Sequence, residues 1–378
     1  MDILQTIYSD SGLNYILPFL FVLTIVVFFH ELGHFAVARW CGVKIETFSI
    51  GFGRAIFRKY DKHGTEWKIG WLPLGGYVKF LGDENAASAP SSEKLAGMDA
   101  TTRQDTLHYK PVWQRSAVMA AGPFANFLLA IVIFAGLFGI VGQQIITPVI
   151  DQVVADSAAA TAQLKQGDVI QSIDGTAIDN FNEVRRLVTI NADTPLLFGI
   201  SRGGVLLDVV VVPKRVLETD RFGNEYHVGR LGITARTNGE NIATTRHNPI
   251  AAVGLGVKET YFIIEQTLSV LGRIISGREG AESLGGPLRI AQISGQTASV
   301  GWVALINLTA TLSVSIGLVN LFPIPMLDGG HLVFYGYEAV RGKPLSMRAQ
   351  EIAMRFGLGF VLLLFVFVTW NDIIRLVN

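Results

Sequence analysis

Cysteine is nearly missing from this chain: Cys41 is the only one in 378 residues. That excludes an intrachain disulfide and any metal cage built from thiolates. Charge is scarce too, at 16% of residues, against roughly a quarter in soluble domains. Lysine plus arginine equals aspartate plus glutamate at 31 each, so no global basic field exists to attract nucleic acid. The first twelve residues hold no lysine or arginine, whereas a cleaved leader carries a positive start. The first apolar run is therefore expected to be a retained span. Apolar sequence is what the chain has in abundance: half its residues are hydrophobic and its mean hydropathy is +0.40. The composition predicts an α-helical polytopic membrane protein.

A bilayer core of about 30 Å needs roughly 20 apolar residues of helix. Four stretches qualify: about 13–37, 116–141 (without a single charge), 300–322, and 352–370 with Arg355 near its start. The connection 38–115 carries twelve lysines and arginines, and 329–355 carries four. The N-terminal tail has none and the C-terminal tail only Arg375. Cytoplasmic loops hold the excess of positive residues. Both connections are thus expected in the cytoplasm, with both termini and the 142–299 segment on the outer side.

That outer segment carries strand, helix and hairpin signals of its own. LKQGDVIQSIDG (164–175) is followed by an amphipathic helix from Asn180 and by a hairpin turning at Arg202-Gly203-Gly204. Residues 147–215 resemble an inserted α+β PDZ domain of the kind found in bacterial proteases. Such domains bind peptides by adding a strand to a sheet edge, so a peptide ligand is an expected partner. Residues 216–248 are too short for a second copy and are expected to form a linker. PIAAVGLGVKETYFIIEQTLSVLGRIIS (249–276) has an apolar stripe broken by Lys258, Glu259, Glu265 and Arg273. It is expected to be an amphipathic helix lying at the outer interface.

The chemistry is concentrated in VFFHELGHFAV (27–37). His30, Glu31 and His34 form an HExxH motif, whose histidines share one face of a helix. Both imidazoles can then reach one ion, and zinc accepts imidazole nitrogen in four-coordinate sites that keep one position open for catalysis. A metal there makes hydroxide available near neutral pH, with Glu31, next to a ligand, as general base. A charge left unpaired in an apolar span costs at least ~2.5–3.5 kcal/mol on insertion scales, which argues against a chance match.

A third protein ligand is sought in NLFPIPMLDGGH (320–331). His30 lies about 25 Å along the first span at ~1.5 Å per residue, near its cytoplasmic end. The third span also runs inward, so Asp328 arrives at that depth from the same side. His331 is the competing ligand. Pro323 and Pro325 break the helix just before the aspartate, and broken backbone at membrane depth needs protein or a watery cavity around it.

HELGH, GVKIETFSIGFG, WLPLGGYVKFLGDE, GPFANFLLA and NLFPIPMLDGGH occur in that order. Together they resemble the site-2 protease family of intramembrane zinc metalloproteases, nearest to the bacterial regulator-of-sigma-E proteases. The resemblance implies a bacterial inner-membrane enzyme, its active site near the cytoplasmic side. Its partner would be a single-pass membrane protein cut in or beside its transmembrane segment, such as an anti-sigma factor or a remnant signal peptide. It implies zinc held by His30, His34 and Asp328, Glu31 as catalytic base, and Asn320 as a contact for the substrate backbone or transition state. EWKIGWLPLGGYVKF (66–80) resembles the family's membrane-associated β-hairpin, with Gly75, Gly76 and Tyr77 beside the substrate together with Asn320, Pro323 and Pro325. One departure stands out: larger relatives carry two tandem PDZ domains, and a single PDZ pattern is present here.

A membrane adaptor with a structural metal is the rival from another class. Glu31 counts against it, because a structural site needs no base and fills all four positions with protein ligands. A metal transporter would want ligands strung along a path, and the first, second and fourth spans offer none beyond HExxH.

Overall fold

The computed structural model describes residues 12–83, 97–219, 225–235, 242–277, 280 and 284–377. The N-terminal tail through residue 11, expected on the outer side, lies outside them. Two compact units are present, one made of residues 1–135 and 253–378 and the other of 136–252.

The first unit begins with α1 (Leu13–Trp40), an apolar helix that ends where Gly42 takes a left-handed φ of 68° and donates its N–H to the Arg39 carbonyl. Two long strands follow, β1 (Ile45–Tyr60) and β2 (Glu66–Phe80), paired antiparallel. The 66–80 stretch expected to form a hairpin is therefore one strand, and its partner is β1, which holds the IETFSIGFG part of the preceding motif and runs on to Tyr60. The chain reverses at 61–64, where Asp61 accepts from the backbone N–H of His63 and Thr65. Trp67 is in register with both Lys59 and Phe48, and Ser49 with both Lys68 and Tyr77. The strands thus fold back over one another, and a Cβ at Gly51 would stand 2.8 Å from the Leu72 carbonyl oxygen. The sheet packs on α1 through Phe48, Trp67 and Phe35, with ring centroids 4.4–5.4 Å apart.

Helix α2 (Val112–Gly136) crosses α1 and runs on through a π turn at Leu137–Val141. After the second unit come α3 (Pro249–Ile275), α4 (Pro287–Val300), α5 (Trp302–Asn320), α6 (Asp328–Arg341) and α7 (Met347–Val377). Among the described residues four helical stretches are long and apolar enough to cross a membrane: Leu13–Trp40, Val112–Val141, Trp302–Asn320 and Arg348–Ile374. These match the four stretches read from the sequence, and α3 is not among them. Only 6% of the most apolar window of Arg348–Ile374 is buried, with Phe356, Leu363 and Val366 facing outward. An apolar surface of that extent is stable in lipid, not in water.

The second unit has its own core of Ile150, Ile170, Ile173, Phe198, Ile200, Val211 and Leu231. Strands β3 (Gln143–Ile146), β4 (Ile150–Val153), β5 (Val169–Ile173), β6 (Thr176–Ala177), β7 (Leu196–Arg202) and β8 (Val205–Val211) are followed by β9 (Lys214–Thr219), β10 (Glu225–Arg230), β11 (Ile233–Ala235) and β12 (Ile242–Thr245). The main sheet has the order β6-β5-β7-β8, with a helix at Phe181–Ile190. The stretch expected to be a linker instead returns to the unit: β11 pairs with β4 and β12 with β3. The unit consequently exceeds the expected 147–215, because strand pairing across about a hundred residues leaves no local pattern.

Candidate metal centre

The HExxH spacing does on α1 what helical periodicity requires. His30 and His34 point the same way, with their Nε2 atoms 3.3 Å apart. They face α2, which comes close because two glycines meet at the crossing. A Cβ on Gly33 would collide with the Ala121 carbonyl oxygen, and one on Gly122 with Nε2 of His34. His34 is buried, and its Nδ1 donates to the Val118 carbonyl 2.8 Å away. A carbonyl only accepts, so this bond sets the tautomer and leaves the Nε2 lone pair pointing into the site.

Asp328 opens α6. The chain leaves α5 at Asn320, passes Pro323 and Pro325, and turns at Met326 with a left-handed φ of 85°. Gly329 and Gly330 let the first turn of α6 lie against this loop: a Cβ on either would strike carbonyl oxygens of Leu321, Phe322 or Ile324. The Asp328 carboxylate reaches Nε2 of His30 at 3.1 Å through Oδ2 and Nε2 of His34 at 3.4 Å through Oδ1. Donors held ~2.0–2.1 Å from a tetrahedral zinc stand about 3.3 Å apart. The two imidazole nitrogens, 3.3 Å apart, and the carboxylate that brings one oxygen to within 3.1 Å and the other to within 3.4 Å of them are close enough to share one ion. Among the described residues, His30, His34 and Asp328 are the group able to hold a metal.

A cavity of about 180 Å³ opens beside this triad. Glu31, Gly76, Tyr77, Val78, Phe80, Met119, Asn320, Met326, Leu327 and His331 line it together with the three donors. A Cβ on Gly76 would stand 3.0 Å from Glu31 Cγ, and Tyr77 and Val78 line the cavity beside it. Strand β2 thus borders the cavity along Gly76–Val78. Of the residues singled out in the sequence, Glu31, Asn320, Gly76 and Tyr77 converge on the cavity with the triad, whereas Gly75, Pro323 and Pro325 do not line it. His331 lines the cavity but stays outside the donor group.

Sequence reasoning missed Gly122 and Asn126 on α2. Asn126 is fully buried, with Nδ2 3.3 Å from Nδ1 of His30. The available signal was an amide inside the apolar run GPFANFLLA, since polar groups within a span are costly and tend to be functional. Outside the site, His108 pairs with buried Asp83 at 3.1 Å.

Comparison with known proteins agrees with this geometry. The model of peptidase family M50 matches residues 18–364. A protein of Agrobacterium fabrum named as a zinc metalloprotease is 49% identical, over 99% of this chain and all of its own length. One of Rhizobium meliloti with the same description is 47% identical, over 96% of this chain and 97% of its own. Metalloprotease MmpA of Caulobacter vibrioides is 39% identical over 94% of each chain. With similarity running end to end and including both halves of the donor set, the chain belongs to peptidase family M50, the site-2 protease family, and is a zinc-dependent metalloprotease.

Proposed function

We propose that this metalloprotease cuts single-pass membrane proteins within or beside their transmembrane segments, with Glu31 as its general base. The observation that carries the proposal is Glu31 sharing one cavity with His30, His34 and Asp328, on an apolar helix long enough to span a bilayer. His30, His34 and Asp328 would hold the metal, which when bound would supply Lewis-acid polarisation of the scissile carbonyl and a lowered pKa for the attacking water. Glu31 takes a proton from that water and later delivers it to the leaving amine, so one carboxylate serves both half-reactions. Asn320, in the same cavity, donates its side-chain amide to the oxygen on which negative charge develops.

A helical substrate keeps its carbonyls in internal hydrogen bonds, so the segment to be cut must first become extended. Gly76–Val78 of β2 offers an extended backbone at the cavity, and strand addition there would hold the substrate open. Gly75, Pro323 and Pro325 flank that path. The charge bias of the connections supports an inner-membrane protein with both termini and the second unit outside the cytoplasm. In that arrangement the second unit acts as a PDZ domain that meets substrate or a peptide in the envelope. An anti-sigma factor already trimmed on the outer side is the favoured substrate, and remnant signal peptides are the second class.

The test uses purified protein in detergent with a single-pass substrate, comparing wild type with Glu31→Gln for metal content and cleavage. Zinc in both and cutting by wild type alone is expected. Cleavage by the variant near the wild-type rate would remove Glu31 as the base.

A further inference from the structure

The two histidines are secured unequally. His34 donates from Nδ1 to the Val118 carbonyl, which leaves Nε2 free to bind metal. His30 needs the same arrangement: a neutral imidazole bound through Nε2 carries its proton on Nδ1 and must donate it. The polar group beside Nδ1 of His30 is the side-chain amide of Asn126, at 3.3 Å through Nδ2. An amide nitrogen cannot accept that proton. The Oδ1 of the same amide is buried and has no partner. A half-turn about the last torsion exchanges Oδ1 and Nδ2, two atoms of nearly equal shape, without moving anything else. Oδ1 then faces Nδ1 of His30 and can accept its proton.

We infer that Asn126 is a positioning residue of the metal centre, accepting the Nδ1 proton of His30 through Oδ1 and so fixing Nε2 towards the ion. The backbone holds the amide in place from the far side. Ser313 on α5 donates to the Asn126 carbonyl at 2.9 Å, and a Cβ on Gly317 would stand 3.1 Å from the Asn126 Cβ. Three helices thereby meet at His30: α1 supplies the ligand, α2 its acceptor, and α5 the clamp on α2.

The inference rests on the metal centre of the proposed reading, and its readout is metal rather than cleavage. Zinc affinity would be measured by chelator competition on full-length protein in detergent, for wild type, Asn126→Leu and Asn126→Asp. Leucine keeps the volume and removes the acceptor, so affinity should fall about 10–100-fold, the usual loss for such a partner. Aspartate keeps an acceptor oxygen and should retain wild-type affinity or better. The cobalt-substituted wild type should show two slowly exchanging, metal-shifted imidazole N–H resonances, one from each histidine. This reading of wild type decides the matter even if both variants misfold. A single such resonance, or zinc affinity in Asn126→Leu equal to that of wild type, overturns the inference. Glu31→Gln separates it from the catalytic proposal: a variant that binds zinc and still cuts refutes the base and leaves Asn126 untouched.

Discussion

Gly122 on α2 lies against Nε2 of His34 on α1, with no room between them for a methyl group. The proposed metal centre is thus built at a helix crossing, and the helix–helix distance sets the position of the two imidazoles. In membranes small residues are what allow backbones to approach this closely.

Gly122→Ala should force α2 away from the imidazoles. Overpacking of a tight contact costs about 1–3 kcal/mol, and here it falls on a ligand. Zinc content after dialysis should drop together with cleavage, while the second unit keeps its own unfolding transition. Full zinc loading with normal turnover would show that the crossing relaxes freely.

Glu31→Gln should behave differently. The glutamine preserves shape and leaves the three donors alone, so zinc stays bound. Turnover should fall by roughly 10²–10⁴, the range for losing a general base. Metal analysis and cleavage on one preparation check both halves.

Arg115 on α2 donates two hydrogen bonds to Glu338 on α6, at 2.6 and 3.0 Å, and its guanidinium lies 5.0 Å from the Tyr335 ring centroid. This pair ties the helix bearing Asp328 to the helix covering the histidines. Arg115→Met leaves a largely buried carboxylate unpaired, at a cost on the order of 3 kcal/mol. The melting temperature in detergent should fall by several degrees. The double variant Arg115→Met/Glu338→Met should recover most of the loss, because both charges are then gone.

Asp61 in the β1–β2 turn links the sheet to α1. Burial favours its neutral form, but bonds from Arg39 at 2.7 Å, the N–H groups of His63 and Thr65, and Nε1 of Trp67 outweigh this. Its carboxyl is held well below the usual carboxylate range. A folded pKa below the unfolded value, about 3.9, means the contribution is complete above that value. It is lost as pH falls from there through the folded value. Asp61→Asn should therefore melt earlier than wild type at pH 7, by the ~1.5–3 kcal/mol of bonds to a charged group. The gap should narrow below about pH 4. A gap that is constant from pH 7 to pH 3 would contradict the charged role.

Much was legible in the sequence because it is local. A span is a run of apolar residues long enough for the bilayer, and HExxH places two imidazoles on one face by the periodicity of a single helix. Asp328 was legible for a related reason, since charge bias and span length bring it to the depth of His30 from the same side. The hairpin is legible only in part: the glycine and aromatic pattern of 66–80 suggests a complete hairpin, whereas the second strand begins upstream at Ile45.

Tertiary structure alone decided the rest, because it depends on contacts between segments far apart in the chain. No local pattern says that Val118 sets the tautomer of His34 from 84 residues away, or that Asn126 faces His30 from 96. The same holds for β11 and β12 returning to strands before residue 154. Residue types and local spacing determined which groups could hold a metal and which stretches are long and apolar enough to cross a bilayer. The crossing of α1 and α2 decided how those groups are aimed, since donor orientation depends on sub-ångström packing that only the assembled helices define.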